Sequence, residues 1–155
     1  SNVQTIGDNA FYKCSNLSDI DITNVQTIGE AAFYECSNAE FSGFSAELKE
    51  IGKFAFKRCK KITSFDFGNK LEKVGEEAFN NCELEEVVIP SSIKDLGVLA
   101  FGYCNKLYYC GTQEDWSKVR VHKDRNGFSF IDHYVTFNYA PDDFGTVSVD
   151  DFSIN

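Results

Sequence analysis

A nine-residue pattern, apolar-Gly-x-x-Ala-Phe-x-x-Cys, occurs five times along the chain. The copies run Ile6 to Cys14, Ile28 to Cys36, Ile51 to Cys59, Val74 to Cys82 and Leu96 to Cys104. The cysteines stand 22, 23, 23 and 22 residues apart, and the Ala-Phe pairs keep the same steps. Periods in this range describe a stacked array in which each unit buries its apolar side only against its neighbours. A second pattern fills the interval from each Cys to the next Gly. It reads Leu17-x-x-Ile20-x-Ile22, then Val25 and Ile28; in the third copy Ile62, Phe65 and Phe67, then Leu71 and Val74; in the fourth Leu84, Val87 and Ile89-Pro90, then Ile93 and Leu96. In the second copy Ala39, Ser42 and Phe44 fall in those places. Alternation over Ile20-x-Ile22 or Phe65-x-Phe67 predicts a short half-buried strand. Ala, Phe and Cys of the first pattern stand at helical neighbour spacing, which predicts one short helical turn with those side chains inward. The Gly permits the backbone to turn out of the residue before it. Each repeat is then strand, turn, short helix and return, an α/β repeat solenoid.

Bulk properties narrow the function. A chain of 155 residues with 43% hydrophobic composition can bury a sizeable core. The net charge of −9 excludes a generic phosphate-backbone binder, which needs clustered Lys and Arg, and disfavours adsorption to an anionic membrane. No apolar run approaches the roughly 18 residues that span a bilayer. The array begins partway through a repeat, so more repeats are expected upstream.

Five of the six cysteines, Cys14, Cys36, Cys59, Cys82 and Cys104, hold one equivalent position per repeat. Stacking lines them up about 5 Å apart, one strand spacing per step. Such a row predicts reduced thiols packed as small apolar side chains. Close pairs of the C-x-x-C kind that zinc prefers are absent from the sequence. The companion column of Phe11, Phe33, Phe56, Phe79 and Phe101 is the structural core of the same motif. Cys110 falls on the inward strand position of the fifth repeat by this count.

The full pattern, Leu-x-x-Ile-x-Ile-Pro-x-x-apolar-x-x-apolar-Gly-x-x-Ala-Phe-x-x-Cys, resembles the leucine-rich repeat of the BspA or treponemal type. The best single match is Leu84 to Cys104, and the resemblance covers residues 3 to about 111. It implies a right-handed, curved solenoid with a parallel sheet on the concave side and short convex helical turns. Residues 1–111 are then about five repeats, the first truncated. Thr112-Gln113-Glu114-Asp115 fits a capping box ahead of Trp116 and Val119. With the alternating stretch Tyr134 to Tyr139 it predicts a C-terminal cap of helix plus strand over residues 112–140, which resembles the segment ending such arrays. Residues 141–155, with Asp142, Asp143, Asp150 and Asp151, read as an acidic tail or linker.

Candidate chemistry is sparse. His122 and His133 both lie in the cap, away in sequence from any repeated Ser or Cys, and no phosphate loop or calcium loop is present. The chain is therefore expected to be no enzyme, with no cofactor and no metal. What remains is the strand side facing away from the core: Asp19, Asp21, Phe41, Ser64, Asp66, Glu86, Val88 and Tyr109, with Gly43 and Gly111 in the central row. This acidic and apolar strip suits a basic or amphipathic protein better than an anionic one. The resemblance implies a secreted or surface-attached adhesion module binding a host, matrix or bacterial surface protein, with no nucleic acid and no membrane insertion. The alternative is a structural spacer carrying other domains of a longer surface protein.

Overall fold

In the computed structural model, residues 2–129, 131 and 134–140 are described. The chain winds as a parallel-strand solenoid of about five turns. The residue before each repeated Gly, and Val121 in the same place before His122, ends a two-residue strand whose apolar side chain points inward and whose partner faces solvent. These strands are Thr5–Ile6 (β1), Thr27–Ile28 (β3), Glu50–Ile51 (β5), Lys73–Val74 (β6), Asp95–Leu96 (β8) and Arg120–Val121 (β10), and they form one parallel six-stranded sheet. Register is uniform along it, Ile6 to Ile28 to Ile51 to Val74 to Leu96 to Val121. The Ile-x-Ile stretches build a second, divided side. There Ile20–Asp21 (β2) pairs with Phe41–Gly43 (β4), and Leu107–Tyr109 (β9) lies between Val87–Ile89 (β7) and Val135–Thr136 (β11). No strand forms over 62–67, although Phe65 and Phe67 are buried there. The continuous sheet thus sits one segment later than the Ile-x-Ile alternation predicts. Its coils match residue for residue, whereas the other side carries the length irregularities, including a bulge between Ile20 and Asp21.

The convex segments are turns, not helices. Within the first motif, Ala10 N–H donates to Gly7 O, Tyr12 N–H to Asn9 O and Cys14 N–H to Phe11 O, at 3.2, 3.1 and 3.0 Å. The N–H groups in between cross to the next coil: Asn9 to Glu30 O, Phe11 to Ala32 O and Lys13 to Tyr34 O, at 2.8, 2.7 and 2.7 Å. The second and third motifs repeat this scheme. A helical turn would direct all these donors along its own axis and leave the coils unbonded to each other. The alternating scheme requires positive φ at two non-glycine residues per motif, such as Asn9 and Lys13, Ala31 and Glu35, or Phe54 and Arg58. That costs about 1–2 kcal/mol per residue, and the cross-coil bonds offset it.

The repeated Gly is needed for space and not for a left-handed turn; among the described glycines positive φ is confined to Gly68, Gly102 and Gly127. A Cβ on Gly52 would lie 2.6 Å from Glu30 N, and one on Gly97 would lie 2.2 Å from Glu76 N. Gly7, with no coil packed before it here, would meet nothing within 4 Å.

Inside, Phe11, Phe33, Phe56, Phe79 and Phe101 form one stacked column, with successive ring centroids 5.1, 5.3, 4.9 and 6.0 Å apart. Phe41, Phe65 and Phe67 brace it edge-on from the opposite side, each about perpendicular to two column rings except for the more inclined Phe65–Phe56 pair at 62°. Such contacts add about 0.5–1.5 kcal/mol each beyond area burial. The cysteines complete the column. Cys36 Sγ–H donates to Phe11 O, Cys59 to Phe33 O and Cys82 to Phe56 O, at 2.9, 2.9 and 3.0 Å. All six cysteines are free thiols.

Six positions depart from the sequence reading. Phe11 is 36% exposed and Cys14 is exposed, because no coil of the described chain covers them. Phe41 pairs with Ile20 and points into the Phe column, since the bulge moves Ser42 outward. Tyr109 pairs with Ile89 and is 1% exposed. Only two residues separate Cys104 from Leu107, against four between Cys82 and Val87, so Leu107 takes the inward place and Cys110 falls beyond the strand.

Past residue 111 the path continues both sheets through β10 and β11. Gln113–Trp116 (α1) is the one α-helix among the described residues, opened by the predicted capping box of Thr112 and Asp115. Trp116 packs between Tyr109 and Phe137, at 5.0 and 6.2 Å between ring centroids. His133 and residues 141–155 lie outside the described residues.

Phe56→Ala is expected to cost about 3–5 kcal/mol, and Phe11→Ala, with one ring face uncovered, only about 1 kcal/mol. Urea denaturation measures both, and equal losses would contradict the stack. Burial pushes the thiol of Cys36 up to about 11 and that of Cys82 to about 12, from 9.0, and that of Cys59 higher still. The unfolded chain therefore releases these protons first, so the thiols' contribution to stability is level below pH 9 and falls as pH rises from 9 toward 12. Native protein treated with iodoacetamide should label Cys14 and leave Cys59 and Cys82 unmodified until urea unfolds it; early labelling of Cys59 would contradict its burial.

Candidate functional site

Two surfaces remain once the core is assigned. On the divided side, the residues between inward positions form a row of Asp19, Asp21, Ser64, Asp66 and Glu86, all exposed, with Val88 half-buried at its end. Asp21 and Asp66 are held in tight turns, Asp21 Oδ1 accepting from Thr23 N–H and Asp66 Oδ1 from Gly68 N–H, both at 2.9 Å. The Thr23 bonds hold the Asp21 carboxyl below the usual carboxylate range. Gly43 keeps the row flat, because a Cβ there would strike Thr23 and the Asp21 carboxylate. At Gly111 a Cβ would strike the Tyr109 ring. The outward aromatic of that coil is Tyr108, which pairs with Val88 and lies 4.7 Å from the Tyr139 ring. The register shift at residue 104 hid it from the sequence reading. None of Asp19, Asp21, Asp66 and Glu86 forms an ion pair with a described residue.

The six-stranded side differs in both respects. From the third coil onward its charges pair one coil apart: Glu50 with Lys73 at 2.8 Å, Glu76 with Lys53 at 2.9 Å, Glu72 with Lys94 at 3.0 Å, and Asp95 with Arg120 at 3.3 Å and His122 at 3.0 Å. Between the outward strand residues and the first turn residues runs a groove of about 500 Å³. The glycine column is its floor, because no side chains rise from it. Sequence reasoning missed this groove, although aligning the residues after each Gly (Asp8, Glu30, Lys53, Glu76, Val98) displays one of its walls. His122 occupies the glycine place of the next coil, its N–H donating to Leu96 O at 2.9 Å as Gly97 N–H does to Val74 O at 2.8 Å. There the tandem turns give way to the loop 122–128. A smaller pocket of about 110 Å³ opens beside it, lined by Val98, Leu99, Tyr103, Phe128 and Ile131 among others.

Among the described residues no three His, Cys, Asp or Glu side chains group to hold a metal ion. No helix there is long and apolar enough to cross a membrane.

Comparison with known proteins is consistent with this construction. A crystal structure of a Treponema pallidum leucine-rich repeat protein superposes with a TM-score of 0.63 at 31% identity, over 69% of this chain and 51% of that one. A leucine-rich repeat protein from Bacteroides ovatus gives 0.62 at 35% identity, over 69% of this chain and 28% of that one. The chain thus spans about half of the first protein and less of the second. None of the curated proteins matches the chain in sequence. The family model described as BspA type leucine rich repeat region matches residues 1–108, the coils built on the glycine column and the Phe stack. The chain belongs to the BspA-type leucine-rich repeat family.

Proposed function

We propose that the chain is a non-catalytic protein-binding segment of a secreted or surface-attached protein, serving adhesion through the acidic row. Leucine-rich repeats of this kind are typically protein-interaction modules, generally non-catalytic, and those of the BspA type typically belong to bacterial surface proteins. In this reading residues 1–111 are the repeat array, 112–140 its cap and 141–155 an acidic tail or linker. The contact residues are Asp19, Asp21, Ser64, Asp66, Glu86 and Val88, with Tyr108 in the place first given to Tyr109.

One observation carries the reading. The matched acids of the six-stranded side spend their charge on neighbouring coils, while the row keeps Asp19, Asp21, Asp66 and Glu86 uncompensated by any described base. A row of fixed like charges on a stiff scaffold steers and orients a basic partner, at some cost in self-repulsion. A second reading, a structural spacer, is favoured by the ion pairs themselves. Glu35 links Lys13 and Arg58, and Lys70 reaches Glu47, each across a coil boundary.

The two readings separate by binding measurements. Biolayer interferometry of the chain against a panel of basic matrix and bacterial surface proteins should find a salt-sensitive partner. The variant Asp21→Asn/Asp66→Asn/Glu86→Gln, which leaves the core untouched, should weaken that partner about tenfold or more. Equal binding by the variant would remove the row from the contact, and a wild type that binds none of the panel would favour the spacer.

A further inference from the structure

The groove on the six-stranded side and the pocket at its end adjoin, with Gly97, Val98 and His122 lining both. Their chemistry differs from one end to the other. In the middle, charges cancel in the Glu50–Lys73 and Lys53–Glu76 pairs. At the first-coil end stand Asp8 and Glu30, neither in an ion pair with a described base; Asp8 Oδ1 accepts from Glu30 N–H at 2.8 Å. At the other end the pocket presents the half-buried Val98 and Leu99 and the buried Ile131 behind Phe128, which is 50% exposed.

That pocket has a fixed wall. Asp124 Oδ1 accepts from Asn126 N–H at 2.8 Å and from Phe128 N–H at 2.9 Å, and Asp124 N–H donates to Phe128 O at 3.0 Å. These bonds close the 124–128 loop, from which Phe128 lines the pocket. A pre-formed apolar pocket of about 110 Å³ admits one aliphatic or aromatic side chain, the kind of anchor that dominates peptide and protein interfaces.

We propose that groove and pocket together bind an extended peptide segment of a partner protein, one apolar side chain seated in the pocket and one basic side chain over Asp8 and Glu30. The spacing between the two follows from the coil repeat. Glu30 and Val98 hold the same motif position three coils apart, about 14 Å at a strand spacing of about 4.8 Å, which an extended chain covers in about four residues. The segment runs across the strands, along the glycine floor, where the absence of side chains lets a peptide backbone approach. This site lies on the other side of the solenoid from the acidic row and stands or falls separately from it.

The test is fluorescence anisotropy with the whole chain and labelled peptides of Ser and Gly carrying one Lys and one Leu. Their separation is varied from about two to about eight residues, in both orders. Affinity is expected to peak near a separation of four and to drop about tenfold when either Lys or Leu becomes Ser. Glu30→Lys and Val98→Glu, both on exposed or half-exposed side chains, should each abolish the peak, with circular dichroism confirming that they fold. Asp21→Asn/Asp66→Asn should leave it unchanged. Affinity independent of separation, no binding up to about 1 mM, or a peak surviving Val98→Glu would overturn the proposal. So would a peak lost only with the acidic-row variant, which would place the peptide on the opposite side.

Discussion

The structure depends on how closely adjacent coils approach at one residue. At each repeated glycine from Gly29 onward, the backbone of the preceding coil occupies the place of a Cβ, leaving 2.2 to 2.8 Å where a methyl group would need more than 3 Å. That approach lets the two-residue strands pair in unbroken register, and it brings each turn within reach of the next. Three N–H groups in each of the first three motifs, and two in the fourth, then cross the boundary, and the Phe rings come to stacking distance. The cysteines follow from the same spacing, because only a small side chain fits under the column, and a thiol can still donate to the Phe carbonyl of the coil before. A conspicuous cysteine motif is therefore part of the packing.

A scaffold assembled this way leaves the outward positions chemically free, and the two sides use that freedom differently. Along the six-stranded side, charges alternate between coils and form cross-coil pairs; exposed pairs of this type contribute only about 0–1 kcal/mol each, so their effect is mainly to flatten the potential along the groove. On the divided side Glu40, just before β4, pairs with Lys61 at 2.6 Å, while Asp19, Asp21, Asp66 and Glu86 form no such pair with a described residue. Asp21 and Asp66 sit there in tight turns that fix their carboxylates.

Much of this was legible in the sequence. The five copies of Gly-x-x-Ala-Phe-x-x-Cys disclosed the stacked array, the parallel strands, and the inward direction of Ala32, Phe33 and Cys36. The capping box at Thr112 was equally visible, because it depends on local chemistry alone. Other features were hidden for physical reasons. An apolar side chain at every third or fourth residue reads the same in a helix as in tandem turns, so the cross-coil hydrogen bonds had no signal. Gly52 was credited with conformational freedom although its role is steric and depends on a residue 22 positions earlier. Phe41 and Tyr109 were assigned outward by counting from the nearest cysteine, and a bulge in one coil and a two-residue shortfall in another reverse them. The groove needs the fold to exist at all, since its floor is defined by side chains that are missing.

Since coil approach at the glycine column is the central claim, the most direct measurement compares two identical substitutions at two equivalent positions. Gly52→Ala and Gly7→Ala put the same methyl group on the same motif place, and urea denaturation reads the difference. The account predicts that Gly7→Ala stays within about 0.5 kcal/mol of the parent, while Gly52→Ala loses more than about 3 kcal/mol or fails to fold. Similar, small effects at both positions would show that the coils do not meet as described.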